Sequence, residues 1–214
     1  MHAWIFVIFT ASVLTNAQET PPSFPRDLLY GKESEVLAYL EAHPEMLQAR
    51  HRDAPLTFAF ARRGMDRALE WVLAKGLDPK QRGDDDQALI TVLQLGDGNR
   101  LLDQVRLLLR YGSDPNEKVA GDLTFYQYAL WKVQQNQQAL ASLTEVNLQA
   151  ALDEFERKGA DFWPENPKKP DLLVFWARFP YVQTLKTKLD SLASDPNRSQ
   201  RFNRGLYFSQ NQAC

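Results

Sequence analysis

The side chains that could carry chemistry in this 214-residue chain are few: three histidines, one cysteine and a run of aspartates. His43 and His51 stand 8 residues apart, a spacing that matches no helical metal-ligand pair, and no cysteine or further histidine joins them. Two surface histidines are the plainer reading. Asp84, Asp85 and Asp86 could attract a hard cation, but the glycine and glutamate that complete a calcium loop are missing at the required offsets. A solvated turn is the plainer reading there. Cys214 has no partner within the chain, and no Ser/His/Asp or Cys/His set can be assembled. No phosphate-binding loop, dinucleotide fingerprint or paired-cysteine motif is present. The expectation is a protein that is not an enzyme and takes no metal and no cofactor. What remains to act is surface.

The elements that must build that surface announce themselves by how they stop. Leu101, Leu102, Val105, Leu108 and Leu109 recur on one helical face. Gly112 follows, where a left-handed cap costs little without a Cβ. Asp114-Pro115-Asn116 then blocks continuation, because proline lacks an N–H and restricts the residue before it. The same ending recurs at Gly76-Leu77-Asp78-Pro79, at Gly159-Ala160-Asp161, and at Ala193-Ser194-Asp195-Pro196-Asn197. The four aspartates are 36, 47 and 34 residues apart, and an earlier copy puts Glu45 another 33 residues before Asp78. A period in the mid-thirties made of paired helices predicts a solenoid. The longer interval places an insertion of about a dozen residues near 134–146, because a stacked core cannot absorb one.

The first half of each unit says which solenoid. Ala54-Pro55-Leu56-Thr57-Phe58-Ala59-Phe60-Ala61-Arg62-Arg63-Gly64 resembles the ankyrin first-helix pattern, with Thr57 where that family has histidine. Gln87-Ala88-Leu89-Ile90-Thr91-Val92-Leu93-Gln94-Leu95-Gly96 and Thr124-Phe125-Tyr126-Gln127-Tyr128-Ala129 are weaker copies. The Gly-Ser-Asp-Pro-Asn ending is similar to the ankyrin Gly-Ala-Asp-x-Asn. The chain therefore resembles an ankyrin-repeat protein of a divergent, exported bacterial type, over roughly residues 28–197. The implied fold is an all-α, ankyrin-like helix-turn-helix repeat solenoid of about five units, with little or no strand.

In that family the turn tips and first helices line a groove that binds proteins. The resemblance carries this role to Arg50, His51, Asp53 and Arg62 in the second unit, and to Asp84, Asp86 and Gln94 in the third. It carries it to Leu123, Trp131 and Lys132 in the fourth, and to Asn166, Lys168 and Lys169 before the last helix pair. Taken singly, Trp131 and Trp163 read rather as core or cap residues. Trp71, Phe155 and Phe175 lie in helix stripes and are expected in the core.

Four segments follow: a signal peptide at 1–17, a Pro-rich leader at 18–26 expected to be mobile, the repeat domain at 27–197, and a C-terminal tail at 198–214. Residues 3–14 are an apolar run too short for a comfortable membrane span, and Thr15-Asn16-Ala17 offers small residues for cleavage. An uncleaved anchor or a buried strand is the alternative. Export without an internal cystine fits a bacterial periplasm. Hydrophobic residues at 44% and charged residues at 24% exclude disorder as the default. A formal net charge of −2 implies no general affinity for nucleic acid. The expected function is that of a non-catalytic periplasmic module, monomeric when free, that binds one protein partner through its groove. The alternatives are an immunity protein that neutralises a secreted toxin, and a hydrolase on a degenerate repeat scaffold.

Overall fold

The computed structural model describes residues 21–52, 54–94 and 96–162, together with Thr187. Among these residues the chain forms eight α-helices, short 3-10 turns and two two-stranded hairpins. The hairpins are additions to an otherwise helical fold. The fifth unit expected at 171–195, Trp163, Phe175, the signal peptide and the tail lie outside the described residues.

Two layers are built from alternate elements. The first contains α1 (Arg26–Tyr30), α3 (Leu56–Arg63), the 3-10 helix Leu89–Val92 and α6 (Phe125–Gln134). The second contains α2 (Glu33–Ala42), α4 (Asp66–Ala74), α5 (Gly98–Arg110) and α8 (Glu145–Arg157). Within layers, α1 meets α3, α3 meets the 3-10 helix, α2 meets α4, and α5 meets α8. Between layers, α1 packs on α2, α3 on α4 and α5 on α6. The hairpins β1 (Arg50–His51) with β2 (Ala54–Pro55), and β3 (Lys118–Ala120) with β4 (Leu123–Thr124), precede α3 and α6. A small helix, α7 (Gln137–Ser142), is wedged against both α5 and α6.

Helices α5 and α8 of the second layer begin at side-chain caps, Asp97 and Thr144. Asp97 opens α5, its carboxylate accepting from the Asn99 and Arg100 amides at 2.8 and 3.2 Å. Leu101, Leu102, Val105, Leu108 and Leu109 of α5 are all buried. Helices α4, α5 and α8 end alike, with Gly76, Gly112 and Gly159 at φ of 99°, 111° and 80°. In each, the amide after the glycine bonds back to a carbonyl five residues earlier: Leu77 to Val72, Ser113 to Leu108, and Ala160 to Phe155. Asp78 and Asp114 then turn the chain, each carboxylate accepting an amide two residues on at 2.8 Å.

Bonds between successive units repeat the spacing of the sequence. Arg63 Nε donates to the Leu29 carbonyl 34 residues away, and the Glu33 carboxylate accepts the α4 amides of Arg67 and Ala68, 34 and 35 residues away. Gln94 reaches the Arg62 carbonyl across 32 residues, and Arg100 reaches Asp66 across 34. Between α5 and α8 the interval lengthens: Asn99 bonds Ser142, Thr144 and Asn147 across 43, 45 and 48 residues. The extra residues are those that hold α7.

Three expectations need correction. The third unit has no first α-helix. Residues 89–92 form one 3-10 turn, because Thr91 and its β-branched neighbours favour helix weakly and the Thr91 hydroxyl bonds back to the Ala88 carbonyl at 2.7 Å. The end of the Pro-rich leader is fixed in place. Phe24 is buried edge-on against Tyr39 and Phe60, and its amide donates to the Arg50 carbonyl at 3.0 Å. Trp71 is half-buried rather than core, with the Lys75 ammonium 5.4 Å from its ring. Phe155 is fully buried. Among the described residues no helix is long and apolar enough to cross a membrane.

Candidate functional site

The site begins with unpaired cations. Arg82, Arg100, Arg106, Arg110 and Arg157 each lie on a carboxylate: Glu117, Asp66, Asp103, Glu70 and Glu154. Arg26, Arg52, Arg62 and Arg63 meet no carboxylate among the described residues. They come from α1, the β1–β2 turn and the end of α3, and gather on one side of the first layer. Arg67 on α4 is a further cation without a carboxylate, but it stands apart on the second layer.

Between them is a cleft of about 130 Å³. Leu29, Ala54 and Ala59, all buried, contribute its apolar surface, and Tyr30, His51, Arg52, Arg62 and Arg63 its polar surface. Tyr30 is 55% exposed, with the Arg63 guanidinium 4.4 Å from its ring centre and that of Arg26 5.6 Å away. Arg62 donates to the neutral Gln87 side chain at 3.3 Å. Arg52 sits at φ 51°, a left-handed conformation forced by the tight turn. His51 is held below the ordinary histidine pKa, first by burial and then by the charges of Arg52, Arg26 and Arg62.

A second feature lies along α6. Trp131 is 38% exposed and packs on Tyr128 with ring centres 5.4 Å apart. Burial raises the pKa of the Tyr128 phenol. Lys132, next in sequence, points the other way. It is 4% exposed, and its ammonium donates to the Thr91 carbonyl at 2.7 Å and the Ile90 carbonyl at 3.3 Å. Burial pushes its pKa down to about 8.

The expected binding residues therefore divide. His51, Arg62, Gln94 and Trp131 stand on the first-layer side, with His51 and Arg62 in one cleft. Asp86 is exposed in the turn before Gln87. Arg50 is half-buried, and its backbone is engaged by the leader. Lys132 is corrected from surface to interior: it caps carbonyls that the 3-10 turn leaves open. Leu123 packs half-buried against the core. Asp53, Asn166, Lys168, Lys169 and the side chain of Asp84 lie outside the described residues. Sequence reasoning missed Tyr30, Arg52, Arg63 and Arg26. The Arg62-Arg63 pair before Gly64 was a visible signal, but Tyr30 and Arg26 join it only through packing of α1 on α3.

Groups of three or more histidine, cysteine or acidic side chains able to hold a metal are absent among the described residues. Comparison with protein-family models, curated proteins and solved structures found no match to this chain.

Proposed function

We propose that this chain is a non-catalytic binding module of ankyrin-like construction, exported to the periplasm, that takes a protein partner on its first-layer face. One observation carries the reading. Arg26, Arg52, Arg62 and Arg63, which meet no carboxylate among the described residues, and the exposed rings of Tyr30 and Trp131 all belong to first-layer helices and a hairpin turn. The charged groove between α4 and α5 instead closes on itself, through Arg100 with Asp66 and Arg110 with Glu70. Arginine and large aromatics concentrate binding energy at protein interfaces. The repeated endings and the bonds at intervals of 32–36 residues support the ankyrin-like reading. The apolar run at 3–14 and the small residues at 15–17 support export.

The test is a titration against the protein recovered from periplasmic extract on the immobilised chain. Replacing Arg62 and Trp131 together by alanine is expected to weaken binding by roughly 2–4 kcal/mol with the helical signal intact. Glu70→Ala, on the second layer, is expected to leave affinity unchanged. Full binding by the first-layer pair, with loss in the Glu70 variant, overturns the proposal.

A further inference from the structure

We propose that the cleft between α1, the β1–β2 turn and α3 is a subsite for a carboxylate on a short apolar stem: a glutamate-type side chain in an acidic segment of the partner. This deepens the binding-module reading and rests on it. The cleft has the two characters such a side chain needs. Leu29, Ala54 and Ala59 offer apolar contact to methylene groups, and Arg52, Arg62 and Arg63 supply forked donors. About 130 Å³ suits one side chain rather than an extended ligand.

The donors are held in advance. Arg63 is fixed at one end by its bond to the Leu29 carbonyl and by the Tyr30 ring, and Arg26 lies over the same ring. Among the described residues the Arg62 guanidinium donates to the neutral Gln87. Ordering these side chains before the ligand arrives reduces the cost of binding. Among the described residues the local field has the required sign. Arg52 from the turn, Arg26 from α1 and Arg62 from α3 all disfavour the charged form of His51, and Arg63 lines the same cleft. Asp53, in that turn, lies outside the described residues. A bound carboxylate offsets part of this field at His51, so its pKa rises when the site fills. By linkage, the anion binds more tightly as pH falls through the histidine range. Nucleic acid fits less well: a phosphate brings no stem for the apolar contacts, and the chain's formal charge is −2.

The experiment uses the full chain and a labelled peptide rich in glutamate and leucine. Its controls are the same peptide with glutamine for glutamate, inorganic phosphate, and a short oligothymidylate. Fluorescence anisotropy reads affinity, and the His51 ring protons read the site by NMR. The glutamate peptide is expected to bind at least about tenfold more tightly than the glutamine peptide. It should also raise the His51 pKa. Arg52→Glu with Arg62→Glu is expected to cut affinity by about tenfold or more, while Arg67→Glu on the second layer stays within about twofold. Circular dichroism confirms that each variant folds.

Equal binding of the two peptides, or unchanged affinity of the double variant, overturns the subsite. So does tighter binding of the oligonucleotide, or an equal His51 shift from phosphate alone. If the subsite fails while the recovered partner still needs Arg62 and Trp131, the binding-module reading survives it. If that dependence is lost as well, both readings fall.

Discussion

Lys132 shows how much one side chain can decide. It stands on α6, yet its ammonium serves the 3-10 turn of the preceding unit, donating to two carbonyls that no further helical turn would satisfy. A charge held there costs desolvation, which is why its pKa falls to about 8 from the ordinary 10.5. Below pH 8 both the folded and unfolded chains carry the proton, and the whole penalty is present. Between 8 and 10.5 the unfolded chain binds more protons than the folded one, so stability rises with pH across that window. Relative to Lys132→Met, the wild type is expected to gain on the order of 2–3 kcal/mol between about pH 7.5 and pH 10.5. Urea unfolding of both proteins at each pH reads this, and parallel pH profiles would refute it. Thr57, where the resemblance asks for histidine, is also buried, and its hydroxyl has no partner among the described residues.

Among elements, the left-handed glycine endings set where α4, α5 and α8 stop. A Cβ at Gly112 would meet nothing within 4 Å, so space is not what selects glycine there. The φ of 111° is. Gly112→Val is therefore expected to cost roughly 1 kcal/mol or more through the backbone alone, measurable as a lowered thermal midpoint. Gly98 is the opposite case. Its conformation is ordinary, but an added Cβ would collide with the Ala139 carbonyl of α7. Gly98→Ala is expected to lever α7 off α5 and weaken the bond from the Gly98 amide to Ser142 Oγ, 2.8 Å long. Hydrogen exchange should then quicken in α7 while α3 and α4 keep their protection. Uniform quickening across all helices would contradict this.

At the scale of the whole molecule, the described residues share one apolar cluster running from Phe24 to Phe162. Leu108 is fully buried within it on α5, which packs against α6, α7 and α8. Leu108→Ala is expected to cost about 2–5 kcal/mol through the cavity it leaves. A denaturant midpoint equal to that of the wild type would show that α5 does not occupy the core. Polar ties run beside the apolar ones. Asn116 donates to the Gly159 carbonyl and accepts the Asp161 amide, and the Tyr126 hydroxyl donates to the Asp161 carbonyl. The ending of α8 is thus held by the unit before it.

The amino-acid order by itself determined the helical stripes and their stops. Leu101 to Leu109 could bury only one face of a helix, and Gly76, Gly112 and Gly159 could each end one without strain. It also located the extra residues that hold α7, since an insertion must leave a stacked core. Those are local properties or simple periods, readable from neighbours in the chain. Which residues share a site was not local. Whether Lys132 faced solvent or carbonyl depended on the 3-10 turn 41 residues earlier. Phe24 could be core only once Tyr39 and Phe60 were beside it. Arg26, Arg52 and Arg62 became one field around His51 only when α1 packed on α3 and the β1–β2 turn closed beside them. Charge acts through space, so tertiary structure alone decided which arginines found carboxylates and which met none among the described residues.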